Sequence, residues 1–148
     1  MGTNGAKLPA VPGFAAVREP PYWVVVFTSR LRPRITHDDR AEHQAACLLM
    51  LGLAERQPGL LGVESARDED GLGILVSYWD SEESIRAWRA DAEHTIARQT
   101  GRGTWYERYT VRVGMIGRSY SWDASTDAHE DPMPDPPLTT MRWSALAE

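Results

Sequence analysis

The stretch SYWDSEESIRAWRADAEH, Ser77 to His94, decides the fold. Its first residues are β-prone and close a strand. Asp80 or Ser81 then stands at a helix N-cap, and Glu82 and Glu83 suit the positive end of the helix dipole. Ile85, Trp88, Ala92, Ile96 and Gln99 recur at helical spacing and mark the buried stripe. His94 lies off that stripe, so core packing alone does not explain it.

Upstream of this stretch, LLGVESARDEDGLGILVSYWD reads as a β-hairpin turning at DEDG, with the returning strand over Leu72–Trp79. Before the hairpin, DRAEHQAACLLMLGLAERQPG reads as a helix. Ala45, Leu48, Leu49 and Leu53 share its apolar face, Thr36 or an adjacent Asp caps it, and Pro58-Gly59 ends it. His37 and His43, at its start, read as solvated. Further back, YWVVVFTSRL (Tyr22–Leu31) carries apolar residues at both parities, as a strand covered on both faces does.

Downstream, Gly101 and Gly103 end the second helix, and TWYERYTVRVGMIGRSY (Thr104–Tyr120) reads as a long strand. Alternation puts Trp105, Tyr109, Val111, Val113 and Met115 on one of its faces and Tyr106, Arg108, Thr110 and Arg112 on the other. The order is β-α-β-β-α-β, an α+β ferredoxin-like fold with an antiparallel sheet. Both helices take one sheet face. The other face is apolar enough to require cover, so a homodimer with two sheets packed face to face, a dimeric α+β barrel, is expected. Residues 1–21 read as an irregular N-terminal arm, 22–120 as the folded domain and 121–148 as an acidic, Pro-rich C-terminal tail.

Bulk properties exclude several functions. A net charge of −5 gives no basic surface for nucleic acid or for an anionic membrane. Cys47 is the sole cysteine, so neither an intrachain disulfide nor a Cys-rich zinc site forms, and no histidine pair has metal-ligand spacing. No apolar run approaches membrane-spanning length, and the N-terminus lacks a signal core; a cytoplasmic protein is expected.

Four segments, QPGLLGVESAR (Gln57–Arg67), SYWDSEESIRAW (Ser77–Trp88), AEHTIARQTGRGTWYERY (Ala92–Tyr109) and the VRVG strand that follows, resemble the antibiotic biosynthesis monooxygenase-like family of dimeric α+β barrels. The resemblance spans residues 22–120. It implies a small oxygenase that uses molecular oxygen without metal or flavin, acting on an electron-rich aromatic or polyketide-type molecule in secondary metabolism. It places a pocket between sheet and helices, lined by Trp88. From their positions at strand and helix ends, Trp79, Thr28, Tyr109 and Arg102 are read as further substrate contacts. His94 is the expected base and Tyr106 the residue that positions a substrate oxygen. Relatives in this fold also degrade haem, which implies an alternative with His94 as the haem ligand. A third alternative is an isomerase, cyclase or ligand-binding accessory dimer using the same cavity. The quinone-forming and haem-degrading relatives tend to use a pocket Asn; the only Asn here is Asn4, and Thr28 or Ser29 stands near the expected place.

Overall fold

The computed structural model describes residues 13–16, 18–98, 105–124 and 128–130, with the side chains of 93–98 and 128–130 outside that description. The elements are β1 (Tyr22–Leu31), α1 (His37–Glu55), β2 (Leu60–Arg67), β3 (Leu72–Trp79), α2 (Glu82–Arg98), β4 (Tyr106–Ile116), β5 (Ser121–Asp123) and β6 (Ala128–Glu130). The first six form the ferredoxin-like β-α-β-β-α-β layout, with an antiparallel sheet in the order β2-β3-β1-β4.

Local chemistry accounts for the boundaries. Thr36 Oγ1 accepts from the Asp39 N–H at 3.0 Å and starts α1. Ser81 Oγ accepts from the Ser84 N–H at 3.2 Å and starts α2. Gly71 takes a φ of +88° at the β2–β3 turn, a conformation open to glycine and strained for a side chain.

Cross-strand register sorts the sheet into two faces. Trp23, Val25, Phe27 and Ser29 of β1 pair with Met115, Val113, Val111 and Tyr109 of β4, so these share the face that carries Val25 against the helices. On it, Val25, Ala54, Trp79 and Ile85 form one buried cluster, flanked by Trp23, Leu60 and Trp88. Leu31, Ala46 and Trp105 form a second, flanked by Ile35 and Tyr106. The stripe expected on α2 is present where it is described: Ile85 and Ala92 are buried and Trp88 packs on the first cluster.

The expected face of α1 is not the one that turns inward. His43, Ala46 and Ala54 are buried, while Ala45, Leu48 and Leu49 are exposed. Small residues decide this. Ala46 lies in the cluster of the buried Trp105 indole and Ala54 in that of Trp79, and leucines there would collide with the indoles.

A second departure lies at the start of β4. Arg30 pairs with Arg108 but Leu31 pairs with Tyr106, so Glu107 is an extra residue on β4. The bulge turns Tyr106 to the helix side, against the strict alternation that set it opposite Tyr109. The rings of Tyr106 and Tyr109 in fact touch, with centroids 5.8 Å apart.

The face away from the helices carries Val24, Val26, Thr28 and Arg30 of β1 beside Thr110 and Arg112 of β4. Leu72 and Ile74 are exposed on it. At the β2 end, part of the N-terminal segment packs down: the Ala15 N–H donates to Glu64 Oε2 at 3.2 Å, and Ala15 sits where Gly62 has no side chain. Ser121–Asp123 and Ala128–Glu130, in what read as the start of the acidic tail, pair as a two-stranded sheet of β5 and β6. No helix among the described residues is long and apolar enough to cross a membrane.

Candidate functional site

The second cluster is where polar chemistry enters the interior. His43, expected to be solvated, is only 5% exposed. Its Nε2 shares a hydrogen bond of 2.8 Å with the Tyr106 hydroxyl and lies 3.4 Å from Cys47 Sγ, one helical turn on. The rings of Trp105 and Tyr106 meet the imidazole edge-on, at centroid distances of 5.5 and 5.2 Å. Phe27 packs against both Tyr106 and Tyr109, completing an aromatic nest.

All three polar groups are held neutral. Burial, then the positive charges of Arg67 and Arg40, push the His43 imidazole from 6.5 down to about 4. Burial pushes the Cys47 thiol up, against the pull of Arg67. Burial also holds Tyr106 above the ordinary phenol range, with Cys47 adding to it and Arg67 opposing. The arrangement can share or pass a proton between a phenol and a neutral imidazole, and it can orient the phenol oxygen.

Arg67, at the end of β2, reaches this region across the sheet. Arg67, Gly73, Ser29 and Tyr109 form one row in the strand registers. Any side chain at position 73 would meet the guanidinium, so Gly73 is the gap that lets Arg67 cross β3. Arg67 Nη2 donates to the buried Ser29 Oγ at 2.8 Å and Nη1 to the Gly71 carbonyl at 2.6 Å. Beside this row, β4 presents an apolar shelf of Tyr109, Val111, Val113 and Met115, each about half exposed. Tyr106 also borders an open depression of about 540 Å³ with Arg32, Pro33, Arg34 and Glu107.

The expected site residues do not come together as a set. Tyr106 and Tyr109 lie in the nest. Trp88 is half-buried against the first cluster, its indole N–H donating to the Met50 carbonyl at 3.2 Å. Trp79 is 0% exposed, its indole N–H donates to Ser77 Oγ at 2.9 Å, and it stacks at a tilt on Trp88. With no surface to offer, Trp79 is core and not a substrate contact. Thr28 faces away from the helices and lines a depression of about 610 Å³ with Arg30, Leu72 and Thr110 on the opposite side of the sheet. β-Strand alternation separates it from His43 and Tyr106. His94 lies in α2 with its side chain outside the described residues, as does Arg102 entirely. His43, Cys47 and Arg67 were not anticipated. The legible signal was His43 and Cys47 at one-turn spacing around small Ala46. Among the described residues no group of three or more His, Cys, Asp and Glu side chains gathers in a way that would hold a metal.

Residues 27–100 match the family described as antibiotic biosynthesis monooxygenase. The uncharacterised protein YqjZ of Bacillus subtilis (strain 168) is 42% identical over 109 residues, covering 74% of this chain and 91% of that protein. A solved protein from Shewanella oneidensis superposes with a TM-score of 0.53 at 15% identity, covering 65% of this chain and 91% of that one. A candidate antibiotic biosynthesis monooxygenase from Caulobacter crescentus superposes with a TM-score of 0.51 at 15% identity, covering 64% and 88%. The fold is therefore shared with both solved proteins, and by its sequence this chain belongs to the antibiotic biosynthesis monooxygenase family.

Proposed function

We propose that the chain is a cofactor-independent monooxygenase that oxidises an electron-rich aromatic or polyketide-type molecule, with molecular oxygen as co-substrate, in secondary metabolism. The observation that supports this beyond family membership is the 2.8 Å bond between Tyr106 and His43 at the edge of an apolar shelf. In this reading the ring of the substrate lies on the Tyr109–Val111 shelf, and the Tyr106 oxygen meets its acidic hydrogen. A proton leaves a CH2 flanked by phenolic rings, and Tyr106 passes it toward His43 Nε2. The carbanion gives one electron to O2, and the radical pair combines to a hydroperoxide. Loss of water then leaves a carbonyl, so that CH2 and O2 become C=O and H2O.

The low basicity of His43 restricts the substrate. An imidazole near 4 takes a proton only from a carbon acid whose anion is well stabilised. His94 is the alternative base in this proposal. Haem ligation rests on His94 as well, because His43 Nε2 is already engaged by Tyr106 and Cys47.

Oxygen uptake with an anthrone-type phenol by metal-free protein tests the reading. Wild type consumes one O2 per product; absence of uptake overturns it. If H94A abolishes uptake and H43Q does not, the base is His94. The working unit in this proposal is a homodimer closed over the uncovered sheet face, where Leu72 and Ile74 are exposed. Light scattering after gel filtration checks it: a wild-type monomer at micromolar concentration removes the dimer, and I74K is expected to dissociate it.

A further inference from the structure

We propose that Arg67 is a substrate-binding residue that holds an oxyanion, so that this site takes its ligand as a phenolate or enolate. The proposal rests on the oxygenase reading for the identity of the ligand, but not for the existence of the anion site.

Three observations carry it. First, the guanidinium is placed, not free to wander: Ser29 Oγ and the Gly71 carbonyl each take one of its nitrogens. Ser29 is itself 2% exposed, so one anchor belongs to the interior. A guanidinium has more N–H donors than these two acceptors use, so the remaining donors can meet an oxygen of the ligand. Second, no carboxylate among the described residues lies within ion-pair distance of Arg67, although its charge acts on His43, Cys47 and Tyr106. A cation set over neutral groups, without a carboxylate partner among the described residues, is the arrangement that favours an arriving anion. Third, the path of the side chain is specific. It crosses β3 over Gly73, the one position in that row where no side chain stands in the way. The row then continues through Ser29 to Tyr109, which is 44% exposed and begins the apolar shelf. An aromatic ring on that shelf would carry a ring oxygen toward the guanidinium.

The charged and titratable groups facing the site are Arg67 from β2, Arg40, His43 and Cys47 from α1, and Tyr106 and Tyr109 from β4. With His43 neutral, Arg67 and Arg40 supply the positive field.

The test uses 1,8-dihydroxyanthraquinone, a coloured phenol that is already at the quinone oxidation level, titrated with pH in the full-length protein. Wild type is expected to lower the bound phenol's pKa by about one unit or more, read from the phenolate absorbance. Arg67→Met removes the shift. Gly73→Ala retains the charge but displaces the guanidinium, and it also removes most of the shift. Arg67→Lys keeps part of it. Far-UV circular dichroism confirms that each variant is folded. An unshifted pKa in wild type, or an equal shift in Arg67→Met, overturns the proposal. Oxygen uptake is measured separately with the anthrone. A shift that depends on Arg67, without any uptake, leaves the anion site standing and removes the oxygenase. Uptake without the shift does the reverse.

Discussion

Two clusters lie on the helix side of the same sheet and are built to different ends. The first, around Val25, Ala54, Trp79 and Ile85, is apolar, and the indole N–H groups of Trp79 and Trp88 are satisfied by Ser77 Oγ and the Met50 carbonyl. The second, around Leu31, Ala46 and Trp105, admits an imidazole, a thiol and a phenol, and the buried Trp105 N–H has no acceptor among the described residues. Burying a neutral histidine gives up protonation below its ordinary range, and burying a thiol and a phenol beside it costs desolvation. A core optimised only for packing would not accumulate such costs at one end. The contrast separates the part of the interior that holds the sheet to the helices from the part to which we assign the proposed chemistry.

The sharpest way to break the contrast is to truncate both sides. Trp79→Ala should lose about 3–5 kcal/mol in urea unfolding, because a fully buried indole leaves a large cavity. A loss below about 1 kcal/mol would mean that the first cluster is not the structural one. The next effect in size is pH-dependent. His43 titrates near 4 in the folded chain and near 6.5 when unfolded, so the unfolded state binds more protons between those values. Stability is therefore full above pH 6.5 and falls as pH drops toward 4, by on the order of 3 kcal/mol. His43→Gln should flatten that part of the stability–pH curve; an unchanged slope would show that other groups set it.

Tyr106→Phe should lower oxygen uptake about a hundredfold while costing only about 1 kcal/mol of stability. If stability collapses and the rate of the residual folded protein is normal, the second cluster is core like the first. The smallest effect is outside both clusters. Thr36→Ala should cost about 1 kcal/mol through the lost cap of α1, with uptake unchanged. A change in uptake there would show that the position of α1 governs the His43–Tyr106 bond.

Much of the frame was legible. Tyr22–Leu31, the Gly71 turn, the Thr36 cap and the Ile85–Trp88–Ala92 stripe follow from residue chemistry over a few positions. The site was less so, for identifiable reasons. Hydropathy favours Leu48 and Leu49 as the inner face of α1, but the size of two indoles on the neighbouring elements selects Ala46 and Ala54 and carries His43 inward with them. Alternation sends Tyr106 to the wrong side because it cannot register an inserted Glu107. No local pattern in the sequence singles out Arg67; only the cross-strand pairing shows it facing a glycine.

That inserted Glu107 also bears on the solubility of the chain. Within the described sheet β4 is an outer strand, pairing with β1 alone, and it is long and partly apolar. A straight, regular margin of that kind offers its free amides and carbonyls to any neighbouring chain and invites open-ended stacking into fibres. The bulge breaks the repeat of those groups at one end, and Arg108 and Arg112 add like charges along the same strand. The same kink that brings a phenol to an imidazole thus makes the border of the sheet a poor template for growth.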